Sequence, residues 1–259
     1  MNALNFIHDV ELNFPVEKWE INGIKIWPYL RINLYREIRK KTLQHTSDIQ
    51  NVEKGQKKIR SPWSRVIVGI IKSLLFRIFH KNTLKKDTDF LFLIKSSDRS
   101  FKVDNFHYSP LVNSLVDLFE QKGYSSQILE YSLEHDFRSP RYKSSTIIQH
   151  LLDWSKVSAK FKVKFFKSDN IMLEKYELFL QKCAKLNLNI QVPKLSNLMY
   201  QITVLEQRAK YFTKIIKDKT PKSIFEICYY NPECMALSYA ASQMGIRTMD
   251  LQHGVQGDH

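Results

Sequence analysis

Five apolar residues in unbroken succession, Phe90-Leu91-Phe92-Leu93-Ile94, stand between Asp89 and Lys95. A strand sends its side chains alternately to two faces, so an unbroken apolar run must be covered on both. A sheet with one wet face would alternate instead. The run therefore points to a parallel sheet enclosed between helices. The next segment has the period of a covering helix. Leu111, Leu115, Leu118 and Phe119 share one face of a predicted helix over 110–122, which Pro110 opens and Gly123 ends. A second strand over 125–130 completes a βαβ unit. The order returns near the chain end, with a strand over 223–228, a helix over 232–244 capped by Gly245, and a strand over 246–251. The fold class is expected to be α/β.

The front of the chain has different patterning. A short helix is predicted over 3–12, and Asn22-Gly23 between apolar residues predicts a hairpin, because both central residues tolerate positive φ. Pro28 then opens a helix with Leu30, Ile32, Leu34, Tyr35 and Ile38 as its apolar stripe. Residues 1–41 are thus expected to form a helix–hairpin–helix cap. Polar residues from Thr42 to Arg60 read as a linker, and 63–80 as a basic amphipathic helix, so that 42–87 separates the cap from the domain over 88–259. Within that domain, 145–218 is expected to be a helical insertion.

Forty Lys and Arg against 26 Asp and Glu give a formal net charge of +14. Such an excess suits nucleic acid, an anionic membrane surface or phosphate-bearing substrates, and also an ordinary solvated surface. Cations inside 63–80 make spanning a bilayer costly, at about 2.5–3.5 kcal/mol for each central Lys or Arg. Two placements remain for that helix: packed on the following domain, or lying on an anionic membrane with Trp63 at the interface. Cys183, Cys228 and Cys234 are odd in number and far apart, which suits neither a disulfide framework nor a metal site. A reducing, cytoplasmic setting is expected, peripheral to the inner membrane face if 63–80 binds lipid. Asp9 and Glu11 stand where a secretory signal would need an apolar stretch.

In open α/β sheets ligands gather at the carboxyl ends of strands. Three segments qualify. The first is Ser96-Ser97-Asp98-Arg99 with Asp104, Asn105, His107 and Tyr108 beyond it; the second is Tyr229-Tyr230-Asn231-Pro232-Glu233. The third is Gln252-His253-Gly254-Val255-Gln256-Gly257. Asp98 and Asp104 are candidate proton acceptors, as is His253 with its pKa near neutrality. Arg99 could grip a phosphate or carboxylate through its planar fork, unless it is tied to Asp98 as a surface ion pair. Ser97, His107, Tyr230, Asn231, Glu233, Gln252, Gly254 and Gly257 complete the expected substrate-binding set.

Asp250-Leu251-Gln252-His253-Gly254 resembles the strand–Gln-His-Gly element of glycosyltransferases from capsule and O-antigen gene clusters. The front cap, with Trp19, Gly23, Trp27-Pro28-Tyr29-Leu30 and Arg31, resembles theirs as well, as does the run Tyr229-Tyr230-Asn231 … Ala240-Ala241 … Gly245-Ile246. The resemblance implies a Rossmann-like domain that is the first half of a GT-B architecture. It further implies a lipid-linked oligosaccharide acceptor on this side of a cleft and a nucleotide-sugar donor on a second domain. No such domain follows His259, so these residues are expected to be an N-terminal piece, inactive alone, with no cofactor or metal of its own. Polymer-forming glycerophosphotransferases also carry a His-Gly pair, and by that resemblance His253 would activate an acceptor hydroxyl. An inverting enzyme would need such a base from among His253, Asp98 and Asp104; a retaining one would not.

Two other classes compete. Basic stretches mixed with aromatics, such as Arg141-Tyr142-Lys143, are compatible with a non-catalytic nucleic-acid- or membrane-binding module, but no nucleic-acid-binding signature is present and nucleic acid is disfavoured. Neither a Gly-x-Gly-x-x-Gly after Ile94 nor a phosphate-binding lysine loop occurs, which argues against dinucleotide and P-loop chemistry.

Overall fold

The computed structural model describes residues 2–46, 68, 71, 88–132, 137–163, 171–185 and 195–251. In chain order the elements begin with α1 (Ala3–Asn13), β1 (Glu20–Ile21), β2 (Ile24–Lys25), α2 (Trp27–Thr46), β3 (Phe90–Lys95), β4 (Phe101–Val103) and β5 (Phe106–Tyr108). Then come α3 (Pro110–Gln121), β6 (Ser126–Tyr131), β7 (Thr146–Ile147), α4 (Gln149–Val163) and β8 (Ile171–Met172). The last are α5 (Tyr176–Lys185), α6 (Leu195–Lys219), β9 (Ser223–Glu226), α7 (Pro232–Ser242) and β10 (Arg247–Asp250). The chain divides into two compact units, 1–59 with 160–203, and 60–159 with 204–259.

The first unit is built around Trp19. Asn22 and Gly23 take φ of 53° and 75°, and β1 and β2 pair across that turn as Asn-Gly predicts. Ile171 and Met172 add β8 to the open edge of β1, making three antiparallel strands. The Trp19 ring is fully buried among Phe14, Trp27, Tyr176 and Phe179, and its indole N–H donates to the Glu174 carbonyl at 2.8 Å. On α1 the buried residues Ala3, Phe6, Ile7 and Val10 recur at helical spacing, and Asn2 caps the first turn by accepting from Leu4 N–H at 3.0 Å. The helical segment expected over 145–218 is therefore divided, and residues 160–203 group with the N-terminal cap.

In the second unit five strands pair, all in parallel, in the order β10-β9-β3-β6-β7. Numbered along the chain this is 3-2-1-4-5 read from the other edge, the order of a doubly wound, Rossmann-like sheet. The long apolar run lies at its centre. In register, Phe92 meets Ile128 on one side and Phe225 on the other, and this row packs with Val112 and Val116 of α3. Alternate residues Leu91, Leu93, Leu129 and Ile224 are buried too, so both faces are covered. At the amino ends, Asp89 accepts from Ser125 N–H at 2.8 Å and pairs with Lys222 at 2.8 Å. The Lys222 bond, with help from Ser125, lowers the Asp89 carboxyl to about 2. That clip fastens β3, β6 and β9 together at the end opposite the candidate site.

The segment between Lys95 and Ser109 is more ordered than its polar composition suggests. A 3₁₀ turn over Ser96–Asp98 leads into a hairpin, β4 and β5, whose two-residue turn is Asp104-Asn105 with φ of 47° and 66°. Of the amphipathic stretch 63–80, only Val68 and Ile71 are among the described residues, and both are helical and exposed. Among the described residues no helix is long and apolar enough to cross a membrane.

Candidate functional site

Strand order locates the site before any side chain is considered. From β3 the chain winds one way to β6 and β7, and the other way to β9 and β10, so adjacent connections diverge between β3 and β9. At such a switch point the loops leaving the two strands separate and open a crevice at their carboxyl ends. Here those loops are Ser96–Arg99 after β3 and Ile227–Asn231 after β9. The second is a tight turn. Cys228 takes φ of 66°, costly for a residue with a Cβ, and Asn231 N–H returns to the Cys228 carbonyl at 2.9 Å. Asp250, at the end of β10, supports it by accepting from Tyr229 N–H at 3.2 Å.

A polar cluster gathers at this edge. Asp98 is half-buried, and its Oδ2 accepts from Lys95 N–H at 2.8 Å, which fixes the carboxylate over the end of β3. Tyr131, the last residue of β6, is almost wholly enclosed. Burial pushes its phenol well above the ordinary value, and the neighbouring Cys234, Glu233 and Asp98 act in the same direction. The Asn231 side chain opposes them as a hydrogen-bonding partner of the phenol. This explains why Asn231 caps α7 by position without its side chain bonding the first turn. Residues from β3, β6 and the β9–α7 loop thus converge, as the strand-end rule requires.

Glu226, which closes β9, is the unusual group. It is buried, Ser238 Oγ donates to its Oε1 at 2.6 Å, and its Oε2 has no hydrogen-bond partner. Burial raises its carboxyl to about 7; the Ser238 bond opposes this and the Asp250 charge adds to it. A carboxyl titrating there can accept or give a proton at neutral pH. Neither Glu226 nor Tyr131 belongs to the set expected from sequence. For Glu226 the signal was present, because a lone acid between Ile224-Phe225 and Ile227 interrupts a buried strand.

The expected residues fare differently. Ser97 is exposed on the 3₁₀ turn, and Tyr230 is half-buried with its ring 5.5 Å from that of Tyr229. Arg99 requires a correction. Neither a solvent-facing clamp nor a surface pair with Asp98, it is fully enclosed, with Nε donating to Glu130 at 3.1 Å and further bonds to Asn113 at 3.4 Å and the Lys143 carbonyl at 3.2 Å. All three guanidinium nitrogens are engaged inside the protein. Glu233 is likewise buried, paired with Arg208 at 2.9 Å, and anchors α7 instead of facing solvent. Asp104 sits exposed in the turn of the β4–β5 hairpin. His107 is half-buried, and its backbone N–H and carbonyl tie β5 to Pro140 and Tyr142. Gln252, His253, Gly254 and Gly257 lie outside the described residues.

Among the described residues no group of three or more His, Cys, Asp or Glu side chains is placed to hold a metal ion. The thiols of Cys183 and Cys234 are both raised by burial, Cys183 to about 12, which makes poor nucleophiles of them. In the first unit a cavity of about 570 Å³ is lined by Phe6, Asp9, Leu178 and Lys182 among others. Its walls are helix surface, with Lys182 paired to Asp9, and no strand end contributes. The chain matches no protein-family model, no curated protein and no solved structure.

Proposed function

We propose that this chain provides the acceptor side of a glycosyl transfer, in which a sugar passes from a nucleotide-sugar to a lipid-linked saccharide of surface-polysaccharide assembly. The observation that carries the reading is the convergence of Asp98, Tyr131 and Asn231 at the β3–β9 switch point, beside the buried carboxyl of Glu226. The Gln252-His253-Gly254 sequence directly follows the last sheet strand and supports it by resemblance.

In this reading the acceptor hydroxyl approaches the edge of β3. Asp98, fixed through Lys95 N–H, takes the hydroxyl proton as the oxygen attacks the anomeric carbon. The bond from that carbon to the nucleoside diphosphate breaks, and its electron pair leaves with the phosphate. Asn231 and the exposed Tyr229 edge offer hydrogen bonds and a ring face to the acceptor sugar. The domain would be the front half of a GT-B enzyme working at the inner membrane face.

Fluorescence anisotropy with a short-chain prenyl-diphosphate saccharide tests this. The account predicts binding that depends on the sugar, with Asn231→Ala and Asp98→Ala each weakening it at least ~10-fold, as expected for hydrogen bonds involving a charged group. Equal affinity for the same prenyl diphosphate without its saccharide would remove the acceptor role.

A further inference from the structure

We propose that Arg138 and Arg141 form a binding site for a diphosphate group at the carboxyl edge of β3 and β6. The proposal deepens the acceptor-side reading and rests on it for the carrier of the diphosphate, though not for the anion chemistry.

Two guanidinium groups, Arg99 and Arg141, meet at a single carboxylate, Glu130, and a third, that of Arg138, is tied to the Arg99 carbonyl. Arg99 Nε lies 3.1 Å and Arg141 Nε 3.2 Å from the same Glu130 Oε2, and Ser145 Oγ donates to that oxygen as well. Arg138 joins through its backbone N–H, 3.1 Å from Ser96 Oγ, and through one guanidinium nitrogen bonded to the Arg99 carbonyl. The nearby acids Asp117 and Glu120 are already engaged by Lys143, each at 2.7 Å. Among the described residues two guanidinium groups thus share the one carboxylate of Glu130. Arg99 and Arg141 repel one another: the Arg141 charge adds to burial in depressing the proton affinity of Arg99.

The three arginines are not equivalent, and the contrast assigns their roles. Arg99 is sealed in and commits every guanidinium nitrogen to protein acceptors. Arg138 and Arg141 are half-buried, reachable from solvent, and under-used. Among the described residues Arg138 has one acceptor for its fork. Arg141 has, among the described residues, the Glu130 contact alone, which lacks hydrogen-bond geometry and leaves its buried Nε without a partner. Purely structural arginines would saturate their donors as Arg99 does. Two open forks on one short segment, three positions apart in the chain, suit the oxygens of two linked phosphates, and such an anion would offset the repulsion at Glu130. The position agrees with a strand-end site: Ser96 and Arg99 belong to the loop that leaves β3, and Glu130 stands next to the last residue of β6.

Isothermal titration of the 259-residue chain with inorganic pyrophosphate, and separately with sulfate, tests the site. Pyrophosphate is expected to bind more tightly than sulfate. Arg138→Gln and Arg141→Gln should each weaken it at least ~10-fold, while Lys143→Gln, an equal loss of charge, should change it less than about twofold. Arg141→Lys keeps a cation beside Glu130 and should still lose affinity at unchanged circular dichroism, which separates loss of the fork from loss of folding. No pyrophosphate heat, or equal losses in all three charge variants, would overturn the site. Phosphatidylglycerol vesicles are expected not to displace pyrophosphate; displacement would overturn the diphosphate assignment in favour of a lipid headgroup. Because the probe carries no sugar, pyrophosphate binding can survive failure of the acceptor reading, and the reverse also holds.

Discussion

Glu226 shows how one side chain links stability to pH. Its folded-state carboxyl sits at about 7, above the ordinary 4.5, because burial disfavours the anion. A raised folded pKa means the protonated form is the one the fold prefers. That stability is fully present below about 4.5 and is lost as pH rises through about 7, to the extent of about 3 kcal/mol. Glu226→Gln keeps the Ser238 contact and cannot ionise. Urea titrations of the variant should therefore show no loss between pH 5 and 8, and at pH 8 it should be more stable than the parent. Identical pH profiles would mean that the carboxylate is solvated. Asp98 and Arg99 make the complementary point. Adjacent in sequence and of opposite charge, they read alike as site candidates, yet one faces the crevice and the other is enclosed. What separates them is Glu130, which lies 31 positions from Arg99. No local pattern announces that partner.

At the scale of elements, local chemistry was the better guide. Asn22-Gly23 predicted its hairpin, and Pro110 with Gly123 framed α3. The β4–β5 hairpin followed the same rule in a weaker form, since Val103-Asp104-Asn105-Phe106 places two left-handed-tolerant residues between apolar ones. Asn105→Val should cost about 1–2 kcal/mol of local stability at φ of 66° and Asn105→Gly almost none, measured by hydrogen exchange at Phe106. Helix α7 depends on a contact that no sequence rule exposes, the buried Arg208–Glu233 pair. Removing one partner leaves an uncompensated charge. Arg208→Met should therefore lose about 3–5 kcal/mol, and the double variant with Glu233→Met should recover most of it. Simple additivity of the two single losses in thermal melts would contradict that account.

For the whole molecule, the parallel sheet was legible because a strand buried on both faces leaves an unmistakable apolar run. Strand order was not, since βαβ periodicity fixes neither which strand is central nor where winding reverses. The grouping of 160–203 with the front cap was equally hidden, for it rests on two residues of β8 pairing with β1 and on Tyr176 and Phe179 closing around Trp19. Trp19→Ala should cost this unit about 3–5 kcal/mol through the cavity left behind, seen as a lowered midpoint in denaturant melts. Ligand is expected to enter where β3 and β9 part. Hydrogen–deuterium exchange with and without a short-chain prenyl-diphosphate saccharide tests it most directly. Slowed exchange at Ser97, at Tyr229 to Asn231 and at Leu251 is predicted; slowing confined to Asn5, Phe6 and Gln181 around the first unit's cavity, or absent altogether, would contradict it.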